Sequence, residues 1–206
     1  RMKSKSIDII FFLLILIPIL IPILLGSTLY NGWRHVYFIY PFMVYFMIFF
    51  IFFIIEKIEN KKINLIVKLL LFLGLLDVSF WMFKNHPHKY VFFNKITRED
   101  VSLNFEMDYI AASYKENLEF LINNEKKDSF NIFNSSKTEI WYSLFSLYDS
   151  DRLKIVELNK ENADYWITNY WFDDTVYNKS FLDKFEILNE VIVDGNKINT
   201  LFKRKN

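Results

Sequence analysis

The chain has 206 residues and a formal net charge of +1, but its charges are unevenly distributed. Residues 1–83 contain eight Lys or Arg and four Asp or Glu, whereas residues 84–206 contain seventeen and twenty, so the two parts carry +4 and −3. Neither part has the dense basic surface that nucleic-acid binding needs, and the absence of cysteine excludes disulfides, thiolate metal sites and cysteine nucleophiles.

Three apolar runs in the amino-terminal part are each long enough to cross a bilayer. They cover residues 7–25, 36–55 and 63–83, and a hydrocarbon core of about 30 Å takes roughly 20 helical residues. The first run is longer than the apolar segment of a signal peptide and does not end in the small residues of a cleavage site. We therefore predict an all-α transmembrane region over residues 1–85 with the lipid bilayer as its partner.

The short connections between these runs predict the orientation of the chain. If all three helices cross, six basic residues fall on one side of the membrane, and these are Arg1, Lys3, Lys5, Lys57, Lys61 and Lys62. The opposite short loop has only Arg34 and His35. The excess of basic residues in cytoplasmic loops then predicts a multi-pass protein of the cell (inner) membrane, with a cytoplasmic amino terminus and an extracytoplasmic carboxy-terminal domain.

Residues 86–206 predict a small α/β domain that ends in a β-hairpin. The predicted elements are, in chain order, a helix over residues 114–123, a strand over 130–133, a helix over 137–148, and strands over 153–158, 165–168, 187–193 and 197–202. Strands that alternate with helices predict a small parallel sheet. The dipeptide Asp194-Gly195 between the last two strands predicts a type I′ turn.

The first outer loop contains residue types that suit a phosphate group at a membrane surface. Arg34 can bind two phosphate oxygens, His35 can add a hydrogen bond or a second charge, and Trp33 favours the interfacial region. An ordinary interface loop explains Trp33 and Arg34 equally well. Both interpretations therefore stay open.

A second polar cluster, His86-Pro87-His88-Lys89-Tyr90, directly follows the third apolar run. Because no third ligand accompanies the two histidines, we predict no metal site here, and the chain indicates no cofactor. Glu106 and Asp108 lie in an apparent loop further on, where either could act as a base or be solvated. The residues of this chain form no complete catalytic constellation.

Three tryptophans in the carboxy-terminal part, Trp141, Trp166 and Trp171, have flat faces that stack on sugar rings. Core packing is the more common role of such residues. We therefore expect them in the core rather than in a sugar-binding cleft.

Three stretches taken together resemble bacterial multi-pass glycosyltransferases of the GT-C type, the dolichyl-phosphate-mannose-protein mannosyltransferase-like or family 39 group. They are LYNGWRHVYFIYP at residues 29–41, HPHKYVFFN at residues 86–94 and NFEMDYIAASYKENLEFL at residues 104–121. Their order and their positions after apolar helices also look like the carboxy-terminal end of such proteins. Relatives often have His-Pro-Tyr-Gln-Tyr in the second stretch, where this chain has His88-Lys89 in the middle, so any role of that pair is in doubt.

The resemblance implies transfer of a sugar from a polyprenyl-phosphate donor to an extracytoplasmic acceptor, either a glycan, a lipid or a protein. In that family an acidic residue in the first external loop usually acts as the base, but residues 26–35 contain no Asp or Glu. We therefore expect the catalytic acid to lie upstream of this chain. By resemblance, Arg34 and His35 bind the donor phosphate, and a further set shapes the outer cavity, namely Trp33, His86, Tyr90, Asn94, Glu106 and Asp108.

Two other functions fit the residues. The chain could be a non-enzymatic, membrane-anchored module whose outer domain binds a glycan or a protein. It could also be a small membrane subunit that packs the helix with Pro18 and Pro22, together with Asp77, against a larger partner.

Overall fold

The computed structural model describes residues 2–28, 35–94, 101–173, 175 and 177–205. The chain divides into two compact units, Arg1–Leu76 and Asp77–Asn206.

The first unit is formed by long apolar helices. Helix α1 covers Met2–Leu25, a short 3₁₀ turn at Tyr37–Ile39 leads into α2 at Tyr40–Lys57, and α3 covers Lys61–Lys84. Each contains a span of 20 to 24 residues that is long and apolar enough to cross a membrane, and almost none of that span is buried within the structure. The three predicted helices are thus confirmed, and their length and composition suggest a membrane protein.

Several polar side chains within this unit have hydrogen-bond partners. The Tyr45 hydroxyl donates to Oδ1 of Asp8 over 2.7 Å, which gives the one carboxylate of α1 a partner on α2. Phe11 packs against the Tyr45 ring at 4.9 Å between centroids. Asn60 accepts hydrogen bonds from the backbone N–H groups of Lys62 and Ile63 and so caps the start of α3.

The second unit contains a mixed sheet of five strands in the order β2-β1-β3-β5-β4. The strands are Phe130–Asn134 (β1), Ile155–Glu157 (β2), Tyr165–Thr168 (β3), Phe185–Val193 (β4) and Asn196–Arg204 (β5). β1 pairs with β2 and β3 in parallel, whereas β5 pairs with β3 and β4 antiparallel. The sequence predicts a small parallel sheet and a hairpin that closes the domain. This prediction is incomplete, because strand β5 of the hairpin pairs with β3 and therefore belongs to the same sheet.

The hairpin itself forms as predicted. A two-residue turn connects β4 to β5, and both of its residues have positive φ, 53° at Asp194 and 83° at Gly195. This is the combination that a type I′ turn requires, and glycine adopts it without a steric penalty.

Among the described residues of the second unit, five α-helices accompany the sheet, with bounds of Val101–Asn104 (α4), Ala112–Asn124 (α5), Trp141–Leu144 (α6), Asp149–Arg152 (α7) and Lys179–Leu182 (α8). The predicted helix over residues 114–123 is confirmed as α5. The predicted helix over 137–148 is wrong, since only Trp141–Leu144 (α6) is helical within that range and α7 begins after it. Tyr148 has extended dihedral angles (φ −61°, ψ 149°), and Asp149 and Asp151 favour a new helix start after it.

The main core lies between α5 and one face of the sheet. Its fully buried members include Leu118 and Leu121 from α5, Ile132 from β1 and Tyr165 from β3. Trp166 points to the opposite face, because neighbouring strand residues alternate, and packs there with Phe185 and Phe202. A third cluster joins the end of α3 to the hairpin and includes Val91, Val191 and Val193, with Trp81 against it.

Candidate functional site

The structure describes only one of the two residues predicted to bind the donor phosphate. Trp33 and Arg34 lie outside the described residues. His35 is exposed, in the turn that precedes the 3₁₀ segment Tyr37–Ile39. Binding of a donor phosphate by Arg34 and His35 therefore stays a prediction.

The residues predicted to shape the outer cavity are found in three different environments of the second unit. His86 and Asn94 are exposed. Tyr90 and Asp108 are hydrogen-bonded to each other in the interior. Glu106 is exposed and lines a surface cleft.

Asp108 is the centre of a buried polar network. Its Oδ1 accepts the Tyr90 hydroxyl at 2.6 Å and the backbone N–H of Ala112 at 3.1 Å. Its Oδ2 accepts the hydroxyl of Ser113 in a short contact and the backbone N–H of the same residue at 3.4 Å. The carboxylate therefore caps the amino-terminal turn of α5 and holds Tyr90 against it.

The network continues in both directions from Asp108. On one side, the His88 imidazole places Nδ1 3.0 Å from the Tyr90 hydroxyl oxygen and Nε2 2.9 Å from Oε2 of Glu116. On the other side, a chain of buried amides runs from Ser113 across to the hairpin. Asn199 donates to Ser113 at 2.9 Å, Asn117 donates to Asn199 at 2.6 Å, and Asn189 donates to Asn117 at 2.8 Å.

The electrostatics of this network favour a structural role. Burial raises the pKa of Asp108, and the hydrogen bonds from Ser113 and Tyr90 act in the opposite direction. Burial first, and then the nearby Asp108 carboxylate, raise the pKa of Tyr90, so its hydroxyl stays protonated and donating. A tyrosine fixed as a donor and a carboxylate with four donated hydrogen bonds have little capacity left for acid–base chemistry.

A surface cleft of about 630 Å³ opens beside this network. Its lining comes from three segments: residues 102 and 104–107, residues 169–172, and residues 195–197. Residues 169–172 directly follow the carboxyl end of β3, a position at which α/β sheets commonly bind ligands. The volume lies within the range of about 300–1,000 Å³ that is usual for small-molecule sites.

One wall of the cleft, residues 170–172, is aromatic and has an unusual backbone. Tyr170 and Phe172 adopt positive φ values of 64° and 45°, a conformation that costs a residue other than glycine roughly 1–3 kcal/mol. The indole N–H of Trp171 is buried without a hydrogen-bond partner among the described residues. Such costs persist only where the surroundings enforce them, and they commonly mark functional segments.

The surroundings of the aromatic wall do enforce this backbone. Oγ1 of Thr168 accepts the backbone N–H of Tyr170 at 2.9 Å, and Oδ1 of Asn169 accepts that of Trp171 at 3.2 Å. The carbonyl of Trp171 accepts the backbone N–H of Lys137 at 3.1 Å. The side-chain amide of Asn169 also donates to the carbonyl of Asp108 at 2.9 Å, which ties the wall to the buried network.

Asp173 completes the support of this loop. Its carboxylate accepts the hydroxyls of Ser135 at 2.7 Å, of Thr168 and Tyr177 in short contacts, and the backbone N–H of Thr175 at 2.9 Å. Burial alone would raise the pKa of Asp173, but these donors outweigh it and lower the pKa below its ordinary value. The ionised carboxylate thus clamps the ends of β1 and β3 to the loop that carries the aromatic wall.

The tryptophans predicted to be core residues have three different positions. Trp166 is buried, as expected, whereas Trp171 lines the cleft. Trp141 is exposed on α6, where it stacks on Tyr142. Among the described residues, no group of three His, Cys, Asp or Glu side chains is arranged to hold a metal ion.

Sequence reasoning missed the wall formed by residues 170–172 and the carboxylate that supports it. A signal was available, since Ser135 and Asn169 come within two residues of the ends of the strands predicted over 130–133 and 165–168, where polar residues gather at the carboxyl edge of a sheet. The positive φ values at Tyr170 and Phe172 have no counterpart in the local sequence, which contains no glycine there.

Comparison with known proteins adds no relative: no protein-family model, no curated protein and no solved structure matches the chain.

Proposed function

We propose that this chain is the carboxy-terminal portion of a membrane glycosyltransferase that moves a sugar from a polyprenyl-phosphate donor to an extracytoplasmic acceptor. The observation that carries the proposal is the contact between Tyr90 and Asp108. These two residues belong to two of the three stretches that resemble GT-C glycosyltransferases, and they meet immediately after the third apolar helix. The contact supports the proposal because it brings two of the three stretches together in one hydrogen-bonded junction.

The charge distribution supports the placement of the second unit outside the cytoplasm. The connection between α2 and α3 is basic at Lys57, Lys61 and Lys62, and the connection between α1 and α2 is much less so. Three crossings then leave residues 86–206 on the opposite side from the amino terminus. Transfer from a polyprenyl-phosphate sugar takes place on that side in the proteins that the three stretches resemble.

The residues present indicate which part of the chain binds the donor and which part faces the acceptor. Arg34 and His35 bind the phosphate of the donor at the membrane surface, where a guanidinium offers two parallel N–H donors. The second unit faces the acceptor. By the resemblance, the base that activates the acceptor is supplied by sequence outside this chain. The carboxylates of Asp108 and Asp173 are already saturated with hydrogen bonds, and Glu106 is the acidic residue among the described lining residues of the cleft.

The test uses the complete gene product that contains this chain, in membrane vesicles supplied with a radiolabelled polyprenyl-phosphate sugar. Arg34→Ala should abolish transfer while leaving the amount of protein in the membrane unchanged. Arg34→Lys keeps the charge but not the bidentate geometry, and should retain a small part of the activity. Lys61→Ala, on the opposite side of the predicted topology, is the control and should transfer normally. Normal transfer by Arg34→Ala would refute the phosphate role.

A second candidate function is a membrane-anchored module that binds a glycan without catalysis. The cleft favours this second function, because all of its lining residues belong to the second unit. Asp108 and Asp173, whose carboxylates are saturated with hydrogen bonds, are not among these lining residues. This candidate predicts binding of a glycan by the chain together with no transfer by the complete gene product.

A further inference from the structure

The cleft combines exposed aromatic surface with hydrogen-bonding groups. Phe105, Tyr170 and Phe172 line it with 48%, 39% and 57% of their surfaces exposed. Glu106 is exposed there and makes no hydrogen bond or ion pair with the described residues. Lys197 presents a half-exposed ammonium whose partner is Glu190 at 2.6 Å.

We propose that this cleft binds a carbohydrate, with a sugar ring stacked on the aromatic wall and its hydroxyls hydrogen-bonded to Glu106 and Lys197. A pyranose has one flat C–H face and a rim of hydroxyls, so it requires an aromatic surface and polar groups side by side. A carboxylate accepts from hydroxyls and an ammonium donates to them. The identification of this carbohydrate as the acceptor rests on the proposed function, whereas the binding itself does not.

The charges of the lining argue against an anionic ligand. Lys197 is the one cation among the described lining residues, and it is already paired with Glu190. The Lys137 ammonium lies 4.9 Å from the centroid of the Phe172 ring, where it is held by a cation–π contact. Glu106 adds a negative charge to the same cleft. A lipid phosphate or a nucleotide would therefore meet one cation shared with Glu190, a second held over the Phe172 ring and one repelling carboxylate, which is an unfavourable lining for a phosphate.

The pattern of the lining argues equally against an acyl chain. Apolar residues such as Phe105 and Met107 alternate with Asn104 and Glu106 in the segment that faces the wall. An acyl chain needs a continuous apolar channel, because each polar group that it covers loses its water. Interrupted aromatic surface with polar groups at its edges matches a sugar better.

The wall is held rigidly, which favours binding of a small polar ligand. Thr168, Asn169 and Asp173 fix its backbone through the hydrogen bonds described above. Because the wall is ordered before the ligand arrives, little conformational entropy is lost on binding. This smaller loss of conformational entropy matters more to the affinity of a weakly binding ligand such as a sugar than to the affinity of a large ligand.

The experiment uses the full chain in lipid nanodiscs with four soluble disaccharides as probes: cellobiose, maltose, mannobiose and chitobiose. Saturation-transfer NMR detects contact, and titration gives the dissociation constant. Phe172→Ala and Phe105→Ala remove exposed aromatic surface from the cleft and should weaken binding by about tenfold each. Glu106→Gln keeps the shape but removes the charge, and should weaken binding less. Phe145→Ala is the matched control, because Phe145 is an exposed aromatic residue that is not among the lining residues, and this variant should bind as the unaltered chain does.

The outcomes separate this proposal from the proposed function. If none of the disaccharides gives a signal, or if Phe172→Ala and Phe105→Ala bind as well as the unaltered chain, the carbohydrate site is refuted. If binding occurs as expected but the complete gene product transfers no sugar, the site stands and the transferase function falls. If the complete gene product transfers sugar and Phe172→Ala leaves the acceptor KM unchanged, the transferase stands and the acceptor assignment falls.

Discussion

The Tyr90 hydroxyl lies 2.6 Å from Oδ1 of Asp108, and this hydrogen bond connects the segment after the third apolar helix to the start of α5. Asp108 at the same time accepts the backbone N–H of Ala112 and the hydroxyl of Ser113. One carboxylate thus fixes both the entry into the second unit and the first turn of its longest helix.

Tyr90→Phe should destabilise the second unit by about 1–3 kcal/mol, because a hydrogen bond to a charged acceptor is lost and Asp108 stays buried. Native-state hydrogen exchange of the α5 amides in the full chain, in detergent micelles, measures the change. Tyr148→Phe is the matched control, since Tyr148 is exposed and its hydroxyl has no partner among the described residues. Equal protection of the α5 amides from exchange in Tyr90→Phe and Tyr148→Phe would show that the hydrogen bond between Tyr90 and Asp108 contributes nothing to the stability of the second unit.

Asn199→Ala should cost about 2 kcal/mol or more, since it interrupts the chain of buried amides. It leaves the side-chain N–H of Asn117 without its acceptor at a fully buried position. Differential scanning of the full chain, or exchange of the β5 amides, checks the loss. The control is Asn123→Ala, which removes an asparagine side chain from the exposed side of α5. It should change the free energy of unfolding by less than about 0.5 kcal/mol.

The elements that sequence reasoning located well depend on local signals. β3 is a short apolar run, and the dipeptide Asp194-Gly195 is typical of a hairpin turn. The positions of both elements were therefore predictable within a few residues. The three long helices follow from length and composition. The position of β5 between β3 and β4 was not predictable in the same way, because pairing of distant strands depends on the packing of the whole sheet.

The site was predictable only in part, for a related reason. Tyr90 and Asp108 could be selected because the stretches that contain them resemble a family, but their contact depends on how two loops fold against α5. The wall at Tyr170 and Phe172 depends on left-handed backbone at residues that rarely adopt it. Such conformations are imposed by Thr168, Asn169 and Asp173 together, and no single residue type signals them.

Asp173→Asn should destabilise the second unit near neutral pH and abolish part of its pH dependence. The folded state lowers the pKa of Asp173 below its ordinary value of 3.8, so the unfolded state takes up the proton first as pH falls. The stabilisation from the ionised carboxylate is therefore present above the unfolded pKa and is lost as pH falls through the folded pKa. The difference in free energy of unfolding between the unaltered chain and Asp173→Asn should then be about 1–3 kcal/mol at pH 7 and should shrink below about pH 4.

The control for this titration is Asp183→Asn, an exposed carboxylate after α8 with no ion pair among the described residues. It should leave the pH dependence of stability unchanged. A constant difference between Asp173→Asn and the unaltered chain from pH 7 to pH 3 would mean that the charge of the clamp does not matter and that its shape alone supports the wall.

The predicted topology can be tested directly because the chain contains no cysteine. Single cysteines at Asp183, on the second unit, and at Glu59, between α2 and α3, are both exposed and give one label each. If the basic connection at Lys57, Lys61 and Lys62 is cytoplasmic, a membrane-impermeant maleimide should label Asp183→Cys in intact cells and Glu59→Cys only after permeabilisation. The reverse pattern would place the second unit in the cytoplasm, where a polyprenyl-phosphate sugar presented on the outer surface cannot reach the cleft, and the transferase function proposed here would have to be abandoned.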